Sequence, residues 1–337
     1  MRAPDFWYPR PHDKAPPLAA RLLAPFACLY DHVGRLRAQR VTPHRVSVPV
    51  VCIGNLTAGG TGKTPAALAL AAALAARGLK PVFLTRGYGG LEKGPLLVDP
   101  ARHSAGDVGD EPLLLARAHK TIVARDRARG AEAAIEAGAT AIVMDDGFQN
   151  PMLAKDLSLI AIDSEIGFGN GRVIPAGPLR EPVARGLARA DAVVLLGPHA
   201  PPAGLAGFAR PVLRARFQPD AETAQKLRGR MVLAFAGIGR PAKFFDSLSA
   251  VGVTLAGAVS FADHHPFSNA EVAALKARAG SALLVTTEKD YIRLRPDQRV
   301  GITTFPVRVV FEDEAQLGAL LDRLSARAEQ VPDRGAR

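Results

Sequence analysis

The stretch from Val48 to Pro65, VPVVCIGNLTAGGTGKTP, decides the fold. Val48, Val50, Val51 and Ile53 form a β-branched apolar run, a glycine-rich turn follows, and an Ala/Leu-rich segment begins at Pro65. Strand, phosphate loop and helix in that order make a nucleotide-binding unit. Gly59, Gly60 and Gly62 let successive backbone N–H groups turn toward one anion, and the helix N-terminus adds the positive end of its dipole. The expected nucleotide-binding loop is Thr57, Ala58, Gly59, Gly60, Thr61, Gly62, Lys63 and Thr64. Lys63 brings a point charge to the β- and γ-phosphates, and Thr64 offers its hydroxyl to Mg²⁺. The strict pattern wants glycine where this chain has Thr57. A glycine-rich turn before an ordinary helix would leave Gly62-Lys63-Thr64 without a purpose.

The 337 residues around this loop suffice for two domains or one large one. With 48% apolar but only 6% aromatic residues, the core is aliphatic. Cys28 and Cys52 lack metal-ligand spacing and read as buried thiols of a reducing compartment. The formal charge of +11 asks for an anionic partner. No RNA-binding sheet pattern, helix-turn-helix or zinc finger accompanies it, so nucleic acid is not expected. No apolar run reaches the roughly 18–20 residues that span a bilayer, and no small-residue cleavage site follows an apolar core. The expected location is the cytoplasmic side.

Residues 1–47 differ from the rest. Phe6, Trp7 and Tyr8 stand among prolines, and LAARLLAPFACLYDHVGRLRAQR follows, apolar first and basic after. Arg2, Arg10, Lys14, Arg21, Arg35, Arg37, Arg40 and Arg45 outnumber Asp5, Asp13 and Asp31. An apolar helix with a cationic end, too short to span, suits the interface of an anionic leaflet, with Trp7 at headgroup level. The competing reading is a helix packed on the protein's own core, broken at Pro25.

From 48 to 200 strand and helix alternate, as in a doubly wound parallel sheet. Strands are expected at Val48–Ile53, Pro81–Thr85, Thr121–Ala124, Ala141–Met144, Leu157–Ile162 and Ala192–Leu196. Helices are expected at Pro65–Arg77, Glu111–Ala118 and Arg127–Glu136. Prolines and glycines from Pro198 to Gly207 read as a linker. A second, smaller α/β unit over 208–325 follows, with strands near Met231–Ala236, Thr254–Ser260 and Leu283–Thr286. Its helices fall near Ala242–Ala250 and Asn269–Ala279.

The strand Ala141–Met144 runs into Asp145-Asp146-Gly147-Phe148-Gln149. Carboxylates at the end of a buried strand, after a phosphate loop, supply the metal side of a Mg·ATP site; an Asp-Gly turn is the plainer alternative. Asp110, in VGDEP, is either a helix cap or a carboxylate that accepts a hydroxyl proton. In FADHHPF, two adjacent histidines beside an Asp suggest a metal site, but neighbours in an extended loop point apart; a loop histidine is also a candidate proton handler. Lys289 and Asp290 in TTEKD are adjacent and lack the spacing of a guanine-reading loop, so GTP is not inferred.

Together the strings GNLTAGGTGKTP, RGYGG, VGDEP, DDGFQ, GNGRVIPAGPLREP, FAGIGRP, FADHHPF and TTEKD resemble, in order and as far as Leu294, the tetraacyldisaccharide 4′-kinase family of lipid A biosynthesis. The resemblance implies an ATP-dependent enzyme that phosphorylates the 4′-hydroxyl of an acylated glucosamine disaccharide 1-phosphate at the cytoplasmic face of the inner membrane. It implies two α/β/α domains with an N-terminal membrane helix. Carried over, Lys63 and Thr64 attend phosphate and Mg²⁺, Asp145 and Asp146 are metal-side acids, and Asp110 is the base paired with His264. Arg86, Tyr88, Gln149, Arg180 and Glu181 line the cleft for ATP and sugar phosphate. His265 receives no role, and no protein partner is implied. A partition-type membrane ATPase shares the loop but carries lysine where this chain has Ala58.

Overall fold

The computed structural model describes residues 4–8 and 18–329. Arg2, Arg10, Asp13 and Lys14 of the basic N-terminal segment lie outside the described residues. The strands are β1 (Val50–Gly54), β2 (Pro81–Thr85), β3 (Leu96–Leu97), β4 (Thr121–Val123), β5 (Ala141–Asp145), β6 (Leu157–Asp163), β7 (Ala192–Leu196), β8 (Val212–Pro219), β9 (Met231–Ala236), β10 (Thr254–Ser260), β11 (Leu283–Thr286), β12 (Ile302–Thr304) and β13 (Val307–Phe311). The α-helices are α1 (Leu18–Leu22), α2 (Ala24–Gln39), α3 (Lys63–Ala75), α4 (Ala105–Val108), α5 (Asp110–Ala116), α6 (Arg127–Glu136), α7 (Val183–Arg189), α8 (Ala221–Leu227), α9 (Pro241–Ala250), α10 (Asn269–Ala279), α11 (Glu288–Arg293) and α12 (Glu314–Glu329).

Nine strands form one sheet in the order β13-β8-β7-β6-β1-β5-β2-β4-β3. It is mixed rather than purely parallel: seven strands run parallel, and β3 and β13 close the two edges antiparallel. All five residues of β1 are buried, as a central strand covered on both faces requires. On one face Leu70 and Leu74 of α3 pack with Leu317, Leu320 and Leu321 of α12. On the other, Ala131 and Ala134 of α6 cover Ile142 and Met144.

The second sheet, β10-β9-β11-β12, is wholly parallel. Phe244 and Leu248 of α9 cover one face, Val272 and Leu275 of α10 the other. The smaller unit does not begin at the expected linker near Gly207. Strand β8 pairs with β7, and β13 returns from beyond the smaller sheet to pair with β8. The smaller sheet is thus an insertion between two neighbouring strands of the larger one. The strand β8, VLRARFQP, alternates apolar and charged residues, which hides a sheet-margin strand behind arginines.

Helices α1 and α2 break at Leu23, and Pro25 stands in the first turn of α2, where its missing N–H costs nothing. Only Ala27 of α2 is buried, while Leu18, Leu22, Phe26 and Leu29 are each more than 60% exposed. No described helix is long and apolar enough to cross a membrane.

Candidate active site

The carboxyl ends of β1, β2 and β5 converge, which is where open parallel sheets place ligands. From β1 the chain enters the phosphate loop. Gly62 caps α3 with φ 82°, and a Cβ there would stand 2.5 Å from the Phe217 ring, so glycine is required twice over. The loop is braced from within. Asn55 Nδ2 donates to Thr57 O at 2.6 Å, and Lys63 Nζ donates to Asn55 Oδ1 at 3.1 Å. Lys63 also lies 3.6 Å from Asp146 Oδ1. Asn55 went unnoticed in the sequence; the string Gly54-Asn55-Leu56 carried it.

From β5 the two acids diverge. The Thr64 hydroxyl donates to Asp145 Oδ2 at 3.0 Å, and the other oxygen, Oδ1, is buried without a hydrogen-bond partner. Burial, with the charges of Glu111 and Asp146 behind it, pushes the Asp145 carboxyl up to about 7 despite Lys63 and Thr64. An orphaned carboxylate oxygen beside a threonine hydroxyl fits Mg²⁺, which takes one or two protein oxygens and fills its shell with water and phosphate. No group of three or more His, Cys, Asp or Glu that could hold a metal occurs among the described residues. Asp146 is different. Arg180 grips it bidentately, at 2.7 and 3.0 Å. Burial pushes its pKa up, but Lys63 and Arg180 outweigh burial and hold it below the ordinary carboxylate value.

Around these, Gln149 Nε2 donates to Asn55 O at 3.0 Å and to Glu181 Oε1 at 3.2 Å. Glu181, 3% exposed, is held by Arg189 and Arg185, and Arg185 reaches on to Asp31 of α2 at 2.5 Å. Arg86, at the end of β2, is exposed and has no hydrogen-bond or ion-pair partner among the described residues. Tyr88 is 68% exposed, its ring 5.7 Å from that of His264.

Asp110 is not the helix cap, because its neighbour takes that position. Gly109, φ 93°, is the N-cap, and Asp110 opens α5 with Oδ1 accepting from Glu111 N at 2.9 Å. Its Oδ2 takes His264 Nδ1 at 3.0 Å. His264 belongs to the smaller unit, so residues far apart in sequence meet across the two sheets. Asp146 and His264 are the two non-glycine residues of positive φ among those described, at 55° and 58°. Strained backbone held at such positions is a mark of functional sites. His265 points away, stacked on Phe261 and bonded to Glu271 at 2.9 Å, a structural role. The two units also lock through Asp163 at the end of β6, which accepts from Arg240 at 2.6 Å and Lys243 at 2.5 Å.

A family model described as tetraacyldisaccharide-1-P 4′-kinase (LpxK) matches residues 19–326. A tetraacyldisaccharide 4′-kinase of Rhodospirillum centenum is 53% identical over 326 residues, covering 95% of this chain and 96% of that protein. Its counterpart from Paramagnetospirillum magneticum is 51% identical over 334 residues, covering 97% and 100%. A crystal structure of LpxK from Aquifex aeolicus in complex with ATP is similar with TM-score 0.73 at 26% identity, covering 91% of this chain and 99% of that one.

Proposed function

The chain belongs to the tetraacyldisaccharide-1-P 4′-kinase family, and from that premise we propose the chemistry of its site. The enzyme transfers the γ-phosphate of ATP to the 4′-hydroxyl of a tetraacyl glucosamine disaccharide 1-phosphate, giving the bis-phosphorylated lipid A precursor. The observation that carries this reading is the meeting of Lys63, the Thr64–Asp145 pair and the Asp110–His264 pair at one end of the sheet.

Phosphoryl transfer asks the protein for positioning and charge neutralisation more than for covalent chemistry. The N–H groups of residues 57–64 and Nζ of Lys63 receive the phosphates. Thr64 and the free oxygen of Asp145 would hold Mg²⁺, which would supply neutralisation of charge on the phosphate oxygens. Asp146 stays paired with Arg180 and Lys63 and fixes the lysine's direction. Asp110 orients the 4′-hydroxyl and accepts its proton as the new O–P bond forms and the bond from Pγ to the departing ADP oxygen breaks. His264 hydrogen-bonds Asp110 and shares that proton. Arg86, Tyr88, Arg180, Gln149 and Glu181 shape the cleft. Lys63 and Asp110 come from the larger unit and His264 from the smaller, so the site is complete only with the two units docked.

The membrane reading rests on the exposed stripe Leu18, Leu22, Phe26, Leu29, Val33 and Leu36, spaced at helical intervals along α1 and α2. Arg37 and Arg40 at the end of α2 add attraction for an anionic leaflet. The combined substitution Leu22→Glu, Phe26→Glu and Leu29→Glu should abolish flotation with anionic vesicles and raise KM for lipid presented in them. Turnover on detergent-dispersed lipid should persist. Undiminished vesicle binding would remove the stripe from this role.

The function itself is tested with γ-labelled ATP, Mg²⁺ and the acylated disaccharide 1-phosphate in micelles. Label moving into lipid is the expected result. Lipid-stimulated release of free phosphate without labelled lipid would point instead to a membrane-associated ATPase.

A further inference from the structure

We propose that Arg293 is the positioning residue of the base: it aims and holds the Asp110 carboxylate, and it does so from the smaller unit. This rests on Asp110 being the base. Arg293 ends α11, one helical turn beyond Asp290, and its side chain is 6% exposed. Its Nε donates to Asp110 Oδ2 at 2.7 Å, and a terminal nitrogen lies 2.6 Å from the same oxygen. The other terminal nitrogen donates to Gly237 O at 2.7 Å and to Asp290 Oδ1 at 2.8 Å. Asp290 in turn accepts from Gly237 N at 3.0 Å. One guanidinium thus spans the ends of β9 and α11 in the smaller unit and α5 in the larger. The planar fork suits that task, and an ammonium does not.

The surroundings make this contact deliberate. Immediately before Arg293, Ile292 packs with Leu113 of α5 and Val123 of β4 in one apolar cluster, so α11 is seated on the larger unit by burial. Next to it Lys289 pairs with Glu111 at 2.9 Å. The charged groups facing Asp110 are therefore Glu111 on its own helix, Lys289, Asp290 and Arg293 on α11, and His264 with Asp263 on the loop after β10. Both side-chain donors to Oδ2 come from the smaller unit; within the larger unit Asp110 keeps only Glu111 N. Burial pushes the Asp110 pKa up, but His264, Lys289 and Arg293 outweigh it and hold the carboxyl well below the usual range. An uncompensated Arg293 would leave a charged group buried in the core of the interface, so the pair also reports docking of one unit on the other.

Arg293→Met, Arg293→Lys and Asp110→Asn would be measured together with ATP, Mg²⁺ and micellar lipid acceptor, as kcat and KM across pH, with thermal melting alongside. Arg293→Met is expected to lower kcat about 10²-fold, the cost of a misdirected reacting group, with both KM values unchanged. The acid limb of its kcat profile should move to higher pH, since removing the cation lets burial raise the Asp110 carboxyl. Arg293→Lys should return the acid limb toward its original position while recovering kcat only in part. A wild-type kcat and pH profile in Arg293→Met would overturn the inference. So would a loss of activity that follows the folded fraction with no shift of the limb. Should Arg293→Met not fold, the Lys variant decides, and a folded Arg293→Lys with wild-type kcat overturns it. An inactive Asp110→Asn beside a normal Arg293→Met sinks the inference alone, whereas a normal Asp110→Asn sinks the base reading on which it rests.

Discussion

Asp110→Asn is expected to lower kcat by about 10²- to 10⁴-fold, the range for loss of a general base, while KM for ATP stays near its starting value. The amide keeps the shape but has one acceptor oxygen where the carboxylate has two, so it can accept from Glu111 N or from Arg293 and not from both, and the charge is lost. The loss should be level from pH 6 to 9. Across that range Asp110 is ionised, because His264, Lys289 and Arg293 outweigh burial, and no titration of this carboxyl intervenes. A carboxylate so stabilised is a weak base in the resting site. That suffices for a loose phosphoryl-transfer transition state, in which the entering oxygen is little bonded and gives up its proton late. The substitution also leaves Arg293 with Asp290 as its one remaining anion, and unbalancing a buried pair costs up to about 3–5 kcal/mol. Melting must therefore be recorded beside kcat. A folded Asp110→Asn enzyme with wild-type turnover would remove Asp110 from proton transfer.

The second large effect is expected at Lys63. Lys63→Ala should cut kcat/KM by about 10³-fold or more, as when a preorganised charge on the transferring phosphoryl group is removed. The side chain is 9% exposed and already aimed, between Asn55 Oδ1 and Asp146 Oδ1, so it needs no reorganisation when charge develops. Lys63→Arg should not restore activity, because a planar fork cannot fill the single point that one ammonium occupies between those two oxygens. Single-turnover measurement with saturating ATP separates lost binding from lost chemistry. An alanine variant with normal single-turnover rate and raised KM would assign Lys63 to binding only.

Much of this was legible in the residues. Runs such as VVCIG, AIVMD and AVVLL are buried on both faces, and a strand buried on both faces announces itself as unbroken apolar sequence. The phosphate loop is written contiguously, because backbone N–H groups that point at one anion must come from adjacent residues. Asp110 was legible as a candidate carboxylate and the Asp-His-His loop as a candidate proton handler, but their pairing came only from strings that resembled a family, since nothing local pairs residues 154 apart. Arg293 was not legible at all. In Ile292-Arg293-Leu294-Arg295 it looks like one surface arginine of two, and only the packing of Ile292 against α5 turns one inward while Arg295 stays exposed. The larger sheet's margin was missed for a related reason. Strands β8 and β13 carry Arg214, Arg216 and Arg308, and their partnership depends on residues that lie beyond an entire intervening unit. The N-terminal segment gave its composition and the place of its break, though Pro25 sits at the start of a helix rather than inside one.

The insertion of the smaller sheet between β8 and β13 has a consequence for synthesis on the ribosome. Pro219 and Val307 stand opposite each other in register, so the larger sheet waits for the whole intervening unit before its last strand exists. Until then Phe217 and Ala215 lack their antiparallel neighbours, and Leu70 and Leu74 lack the cover that Leu317, Leu320 and Leu321 later provide. The nascent chain thus carries an open strand margin and a bare apolar face while the smaller unit is being made, the condition under which chaperones are most needed. The nucleotide loop, packed against Phe217, reaches its finished surroundings among the last parts of the molecule.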